Sequence, residues 1–143
     1  MNKLFLTCII ILASAGTSLF AQTKDEIAIK KILAQQTSAW NAGNIENFML
    51  GYWNNDSLKF IGKSGITYGW LKTLDNYKKN YPDLATMGKL DFEIVETKRL
   101  SVLYYFVVGK WHLQRSAGDV GGYFTLLFKR INKAWVIVVD HSG

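Results

Sequence analysis

Apolar residues in this chain recur every three or four positions as far as about residue 81. From about residue 88 they alternate, or run together as β-branched and aromatic stretches. A repeat of 3.6 residues buries one stripe of a helix, and a repeat of two buries one face of a strand. Neither half can take the other's form and keep its apolar side covered. Between 24 and 42, Ile29, Ile32, Leu33, Gln36 and Trp40 share a helix face, with Lys30 and Lys31 off it. Gly43 offers a left-handed stop and Asn44 a new cap. Ile45, Phe48, Met49, Tyr52 and Trp53 then mark a second short helix. Trp70, Leu74, Tyr77 and Tyr81 mark a third over 69–81, with Pro82 just beyond its end. A short strand over 58–61 is followed by Gly62 and Gly65, which mark a turn. Four longer strands are expected over 88–98, 100–113, 123–131 and 135–141, the last two joined by a tight turn at Asn132-Lys133. Helices segregated from strands predict an α+β fold: a curved antiparallel sheet with three N-terminal helices packed on one face.

Hairpin register sorts the side chains. If Ile131 faces Ala134, then Phe128 faces Ile137, Leu126 faces Val139 and Phe124 faces His141. This bulky set is assigned to the concave, helix-covered side, and a bulge would flip the assignment. Tyr123, Thr125, Leu127, Lys129, Val136, Val138 and Asp140 fall on the other side. Leu127, Val136 and Val138 are too apolar for open solvent and predict a homodimer through the sheet.

The first 21 residues read as a secretory signal peptide: Lys3, an apolar stretch from Leu4 to Ala13, small and polar residues, and a cut after Ala21. That stretch is too short to span a bilayer, so no membrane association is expected after cleavage. The remainder, 22–143, has no linker, repeat or charge block and is expected to be one domain, exported to the periplasm or secreted. The only cysteine, Cys8, leaves with the leader, which suits an oxidising compartment and excludes thiol catalysis. The net charge of +6 is scattered in pairs at most, so no nucleic-acid partner is expected.

Several segments in this order resemble a known family: Ser38-Ala39-Trp40-Asn41-Ala42-Gly43-Asn44, Asn55-Asp56, Gly122-Tyr123-Phe124-Thr125-Leu126-Leu127-Phe128 and Trp135-Val136-Ile137-Val138-Val139-Asp140-His141-Ser142. They resemble the nuclear transport factor 2-like superfamily, in its SnoaL-like branch, known as domain of unknown function 4440. The last strand is also similar to the end of the calmodulin-kinase association domain. The resemblance implies a cone-shaped α+β fold with a cavity between helices and sheet, usually dimeric. It implies no single function, because the fold hosts isomerases, dehydratases, cyclases, binding proteins and assembly hubs.

The same resemblance permits a test for isomerase chemistry, which uses an aspartate base with a tyrosine and a protonated aspartate as oxyanion hole. Those positions fall on Gln36, near Ile61, and near Leu126 or Leu127, so the three groups are not expected here. Asp140, His141 and Ser142 are consecutive, and strand alternation puts His141 opposite the other two. His112 and His141, the two histidines, lie on strands too far apart for one metal ion. Neither a metal nor a cofactor is expected. Aromatic residues make up 14% of the chain. Trp40, Tyr52, Trp70, Trp111 and Phe124, with His141 as the polar member, are the candidates to line a pocket for a small apolar or aromatic ligand. The expected function is therefore an exported small-molecule-binding domain. Its rivals are a general acid–base enzyme of isomerase, lyase or cyclase type with His141 as base, and an oligomeric assembly domain.

Overall fold

The computed structural model describes residues 23–143. The leader expected over 1–21 lies outside the described residues. Helix α1 (Lys24–Asn41) opens on a capping box: the Thr23 Oγ1 accepts from the Glu26 backbone N–H at 3.2 Å, and Glu26 returns a bond to the Thr23 N–H at 3.3 Å. Its stripe of Ile29, Leu33, Gln36 and Trp40 is buried, as the period predicts. Asn44 caps α2 (Ile45–Met49), accepting from the Asn47 N–H at 2.8 Å. That helix stops at Met49, although its apolar period continues to Trp53. The reason is tertiary: the Ile137 N–H donates to the Gly51 carbonyl and the Trp53 N–H to the Ile137 carbonyl, both at 2.9 Å, so the chain is drawn out along the sheet. Helix α3 (Trp70–Asn80) agrees with expectation, and a one-turn helix α4 (Leu84–Met87) was not signalled by any period.

Six strands follow the order β2-β1-β6-β5-β4-β3, where β1 is Lys59–Gly62, β2 Gly65–Tyr68, β3 Lys89–Arg99, β4 Tyr104–Gln114, β5 Val120–Ile131 and β6 Ala134–Ser142. Strands β3 to β6 form the expected antiparallel meander. Two features correct the expectation. Gly65–Tyr68 is a strand, too short to show a period, and pairs with β1 as an edge hairpin. Strand β1 also runs parallel to β6, with Phe60 opposite Asp140, so the sheet is mixed rather than wholly antiparallel. The sheet is curved and unclosed, and the helices cover its concave face in the cone form. Ile29, Leu33, Phe48 and Met49 pack there against Tyr105, Val107, Phe128 and Ile137, all nearly inaccessible to solvent. Among the described residues no helix is long and apolar enough to cross a membrane.

The β5–β6 register carries the main correction. Ile131 faces Ala134 and Phe128 faces Ile137, as the tight turn requires. Asn132 and Lys133 both take positive φ, 50° and 67°, the twist that a two-residue hairpin needs. Beyond Ile137, however, Val138 is an extra residue: Leu127 faces Val139, Leu126 faces Asp140 and Phe124 faces Ser142. This bulge exchanges the two faces for the rest of the strand. Asp140 turns inward, and Val139 and His141 turn outward.

Candidate functional site

The helices do not fill the cone. A hollow of about 520 Å³ remains between α1, α3 and the concave face. Its walls are aromatic because three helical periods and four strands each bring rings to the same space. Trp40 of α1 meets Phe48 and Tyr81 edge-to-face, with ring centroids 5.1 and 4.8 Å apart. Tyr77 of α3 packs on Phe48 at 5.3 Å and on Phe60 of β1 at 5.6 Å. Phe92 and Phe124 close the sheet side at 5.3 Å. Such edge-to-face pairs hold one another's orientation as well as burying area. The Trp40 indole N–H also donates to the Met87 carbonyl at 3.2 Å, which ties the wall to α4.

One carboxyl group sits at the deep end. Asp140 is 3% exposed; its Oδ2 accepts from the Tyr52 hydroxyl at 2.7 Å and its Oδ1 from Ser142 Oγ at 2.6 Å. The Tyr77 hydroxyl lies 3.4 Å from that of Tyr52. Burial raises the Asp140 pKa above the usual aspartate value, against the lowering effect of its two hydroxyl donors. Burial, reinforced by the Asp140 charge, holds Tyr52 and Tyr77 well above the ordinary tyrosine value, so both keep their protons at neutral pH. The deep end thus offers hydroxyl donors beside a carboxyl group that takes a proton more readily than usual. At the other end the hollow opens between the β1–β2 turn (Lys63, Ser64), Asn80 and Arg115. Burial also raises Tyr81, and the Arg115 charge beside it acts in the opposite sense.

Trp40, Tyr52, Trp111 and Phe124 all line this hollow. Trp70 does not: its indole N–H is bound to the Met49 carbonyl at 2.9 Å, bracing α3 on α2. His141 is exposed on the outer face, turned there by the bulge at Val138. Gln36 is buried in the wall and donates through Nε2 to the Phe48 carbonyl at 3.2 Å. The indole Nε1 of Trp111, close to Gly122, is buried without an acceptor. Sequence reasoning missed Asp140 as the inward acid. Its only local signal was its place in Asp140-His141-Ser142, and the simple alternation of a regular hairpin points the wrong way. Among the described residues no group of three or more His, Cys, Asp and Glu could hold a metal ion.

The fold and these distances can be set beside known proteins. No family model matches the chain, and no curated protein does. A solved NTF2-like protein of unknown function from Shewanella oneidensis is 43% identical, over 82% of this chain and 98% of that one, with a TM-score of 0.80. The chain belongs to the nuclear transport factor 2-like family. More distant solved structures superpose at lower identity. A domain of unknown function with a cystatin-like fold from Nostoc punctiforme is 15% identical, with a TM-score of 0.70 over 86% of this chain and 80% of that one. A ketosteroid isomerase-like protein from Erwinia carotovora is 14% identical, with a TM-score of 0.65 over 84% and 95%. At these identities the likeness is one of fold. The fold alone fixes no function, which has to be argued from the site itself.

Proposed function

We propose that this protein is an exported small-molecule-binding domain whose cone receives a flat, largely apolar ligand. One observation carries the reading: nine aromatic side chains line a hollow of about 520 Å³, with Asp140, Tyr52 and Tyr77 forming a polar cluster at its deep end. That volume lies within the roughly 300–1,000 Å³ typical of ligand sites, and an apolar wall with a few placed polar groups is the usual composition of one. The ring faces supply contact area, and Tyr52, Tyr77 and Asp140 supply the donors and acceptor that would orient one end of the ligand. Export rests on the sequence of residues 1–21. The homodimer rests on the apolar outer face, where Phe106 neighbours Leu127 and Leu127 neighbours Val139 across three strands.

Native mass spectrometry of the protein purified from its own cell envelope tests all three parts. The expected spectrum shows a chain beginning at Gln22, a dimer, and a retained small molecule. A protein that never carries a small molecule, and that leaves the fluorescence of apolar dyes unchanged, would overturn the binding reading.

A second reading, a general acid–base enzyme, is favoured by Asp140 rather than by His141. A buried carboxyl with a raised pKa, held by a tyrosine in a hollow, is the environment that acid–base catalysis uses. In that case Asp140→Asn would abolish conversion of the retained molecule while leaving its binding in place.

A further inference from the structure

We propose that Arg115 is an anion-binding residue at the mouth of the hollow, so that the ligand is an organic carboxylate seated with its ring body along the aromatic walls and its charged head at the mouth. This rests on the binding reading above and adds the chemical class of the ligand.

Arg115 follows the end of β4, on the same side of the chain as Trp111 and Leu113, and lines the hollow half-buried. Two glycines shape its seat. At Gly88 (φ 63°) a Cβ would collide with Arg115 Cγ and the Gln114 carbonyl, so the arginine stem lies where a side chain would be. Gly118 (φ 105°) turns its carbonyl to accept from Arg115 Nε at 3.0 Å. Both take positive φ, which side chains rarely adopt. The guanidinium is therefore held by one edge. Its other edge, the two Nη groups, has no carboxylate within ion-pair distance among the described residues. Asp119, on the same turn, is engaged elsewhere: Oδ1 accepts from the Arg115 backbone N–H at 3.0 Å, and Oδ2 lies 3.0 Å from His112 Nε2. A planar guanidinium fixed through Nε offers its remaining fork to a carboxylate in two parallel bonds. Among the other side chains at this end, Lys63 is a second cation and Ser64 and Asn80 are neutral. Asp140, the acidic side chain of the lining, sits at the far end, so the charge pattern also sets the ligand's direction.

Binding of two ring-matched probes, 2-naphthoate and the neutral 2-naphthalenemethanol, followed by tryptophan fluorescence, tests this. The wild-type protein should hold the carboxylate roughly tenfold more tightly than the alcohol. Arg115→Gln should erase that preference while the alcohol binds as before, and Arg115→Lys should restore part of it. Lys63→Gln, at an exposed position, should change it by roughly twofold and only at low salt. Equal wild-type affinity for both probes would overturn the proposal and leave the binding hollow standing. So would a preference that survives in Arg115→Gln, or one lost only in Lys63→Gln. Binding of neither probe would overturn the hollow as a ligand site, and this proposal with it.

Discussion

Asp140 shows how one residue's surroundings decide its chemistry. On the protein surface an aspartate ionises near pH 3.9, but here the fold removes water from both oxygens and returns two hydroxyl donors. Desolvation outweighs the donors, so the native state holds this proton more tightly than the unfolded chain does. The native state binds more protons, so stability falls as pH rises from the usual aspartate range through the raised native value, and is flat above it. Asp140→Asn cannot ionise and escapes that loss. The stability of Asp140→Asn relative to wild type should therefore increase across that window in urea melts between about pH 3 and pH 8. A difference that stays constant with pH would show that Asp140 titrates alike in both states. Trp40 and Trp111 make the complementary point. Both are wall residues, but the Trp40 N–H has the Met87 carbonyl whereas that of Trp111 has no acceptor. The same residue type is thus a structural tie in one place and only a ring in the other.

At the scale of the element, the β5–β6 hairpin determines which polar side chain the hollow receives. Its turn is built from Asn132 and Lys133, each in the left-handed region. Asparagine tolerates that region better than lysine, for which it is a steric cost of about 1–2 kcal/mol. Lys133→Gly relieves the cost and produces the Asn-Gly pair that two-residue hairpins favour. Its greater unfolded-state freedom offsets part of the gain. The net stabilisation should be about 0.5–1 kcal/mol, read as a shift of the urea midpoint with an unchanged slope. No gain would mean that the turn is relaxed as it stands. Downstream, the extra residue at Val138 reverses the faces of the strand. A one-residue change of register is enough to present Asp140 instead of His141 to the hollow.

The molecule as a whole has two apolar faces to account for. The concave one is roofed by helices. The outer one carries Phe106, Leu127 and Val139 in adjacent positions across β4, β5 and β6, half-buried by their neighbours alone. A second copy laid on this face would cover that row. Sedimentation equilibrium at micromolar concentration should give a dimer, and Leu127→Lys should give a folded monomer with the wild-type circular dichroism spectrum. A wild-type protein that sediments as a monomer would remove the dimer from the reading.

What could be read from the residues alone was whatever depends on short-range spacing. The 3.6 repeat located α1 and α3, β-branched and aromatic runs located the meander, and Asn132-Lys133 located its last turn. Trp40, Trp111 and Phe124 lie along the hollow because a helix stripe or strand face is set by local geometry, whereas Tyr52 lies there beyond the end of α2, bridged to Ile137. The end of α2, the strand at Gly65–Tyr68, the parallel pairing of β1 with β6 and the bulge at Val138 were not legible. Each is settled by hydrogen bonds between segments far apart in the chain, and sequence spacing carries no record of such bonds. The acid at the floor and the arginine at the mouth belong to this second group. Their positions exist only once six strands have curved around a space that the helices leave open.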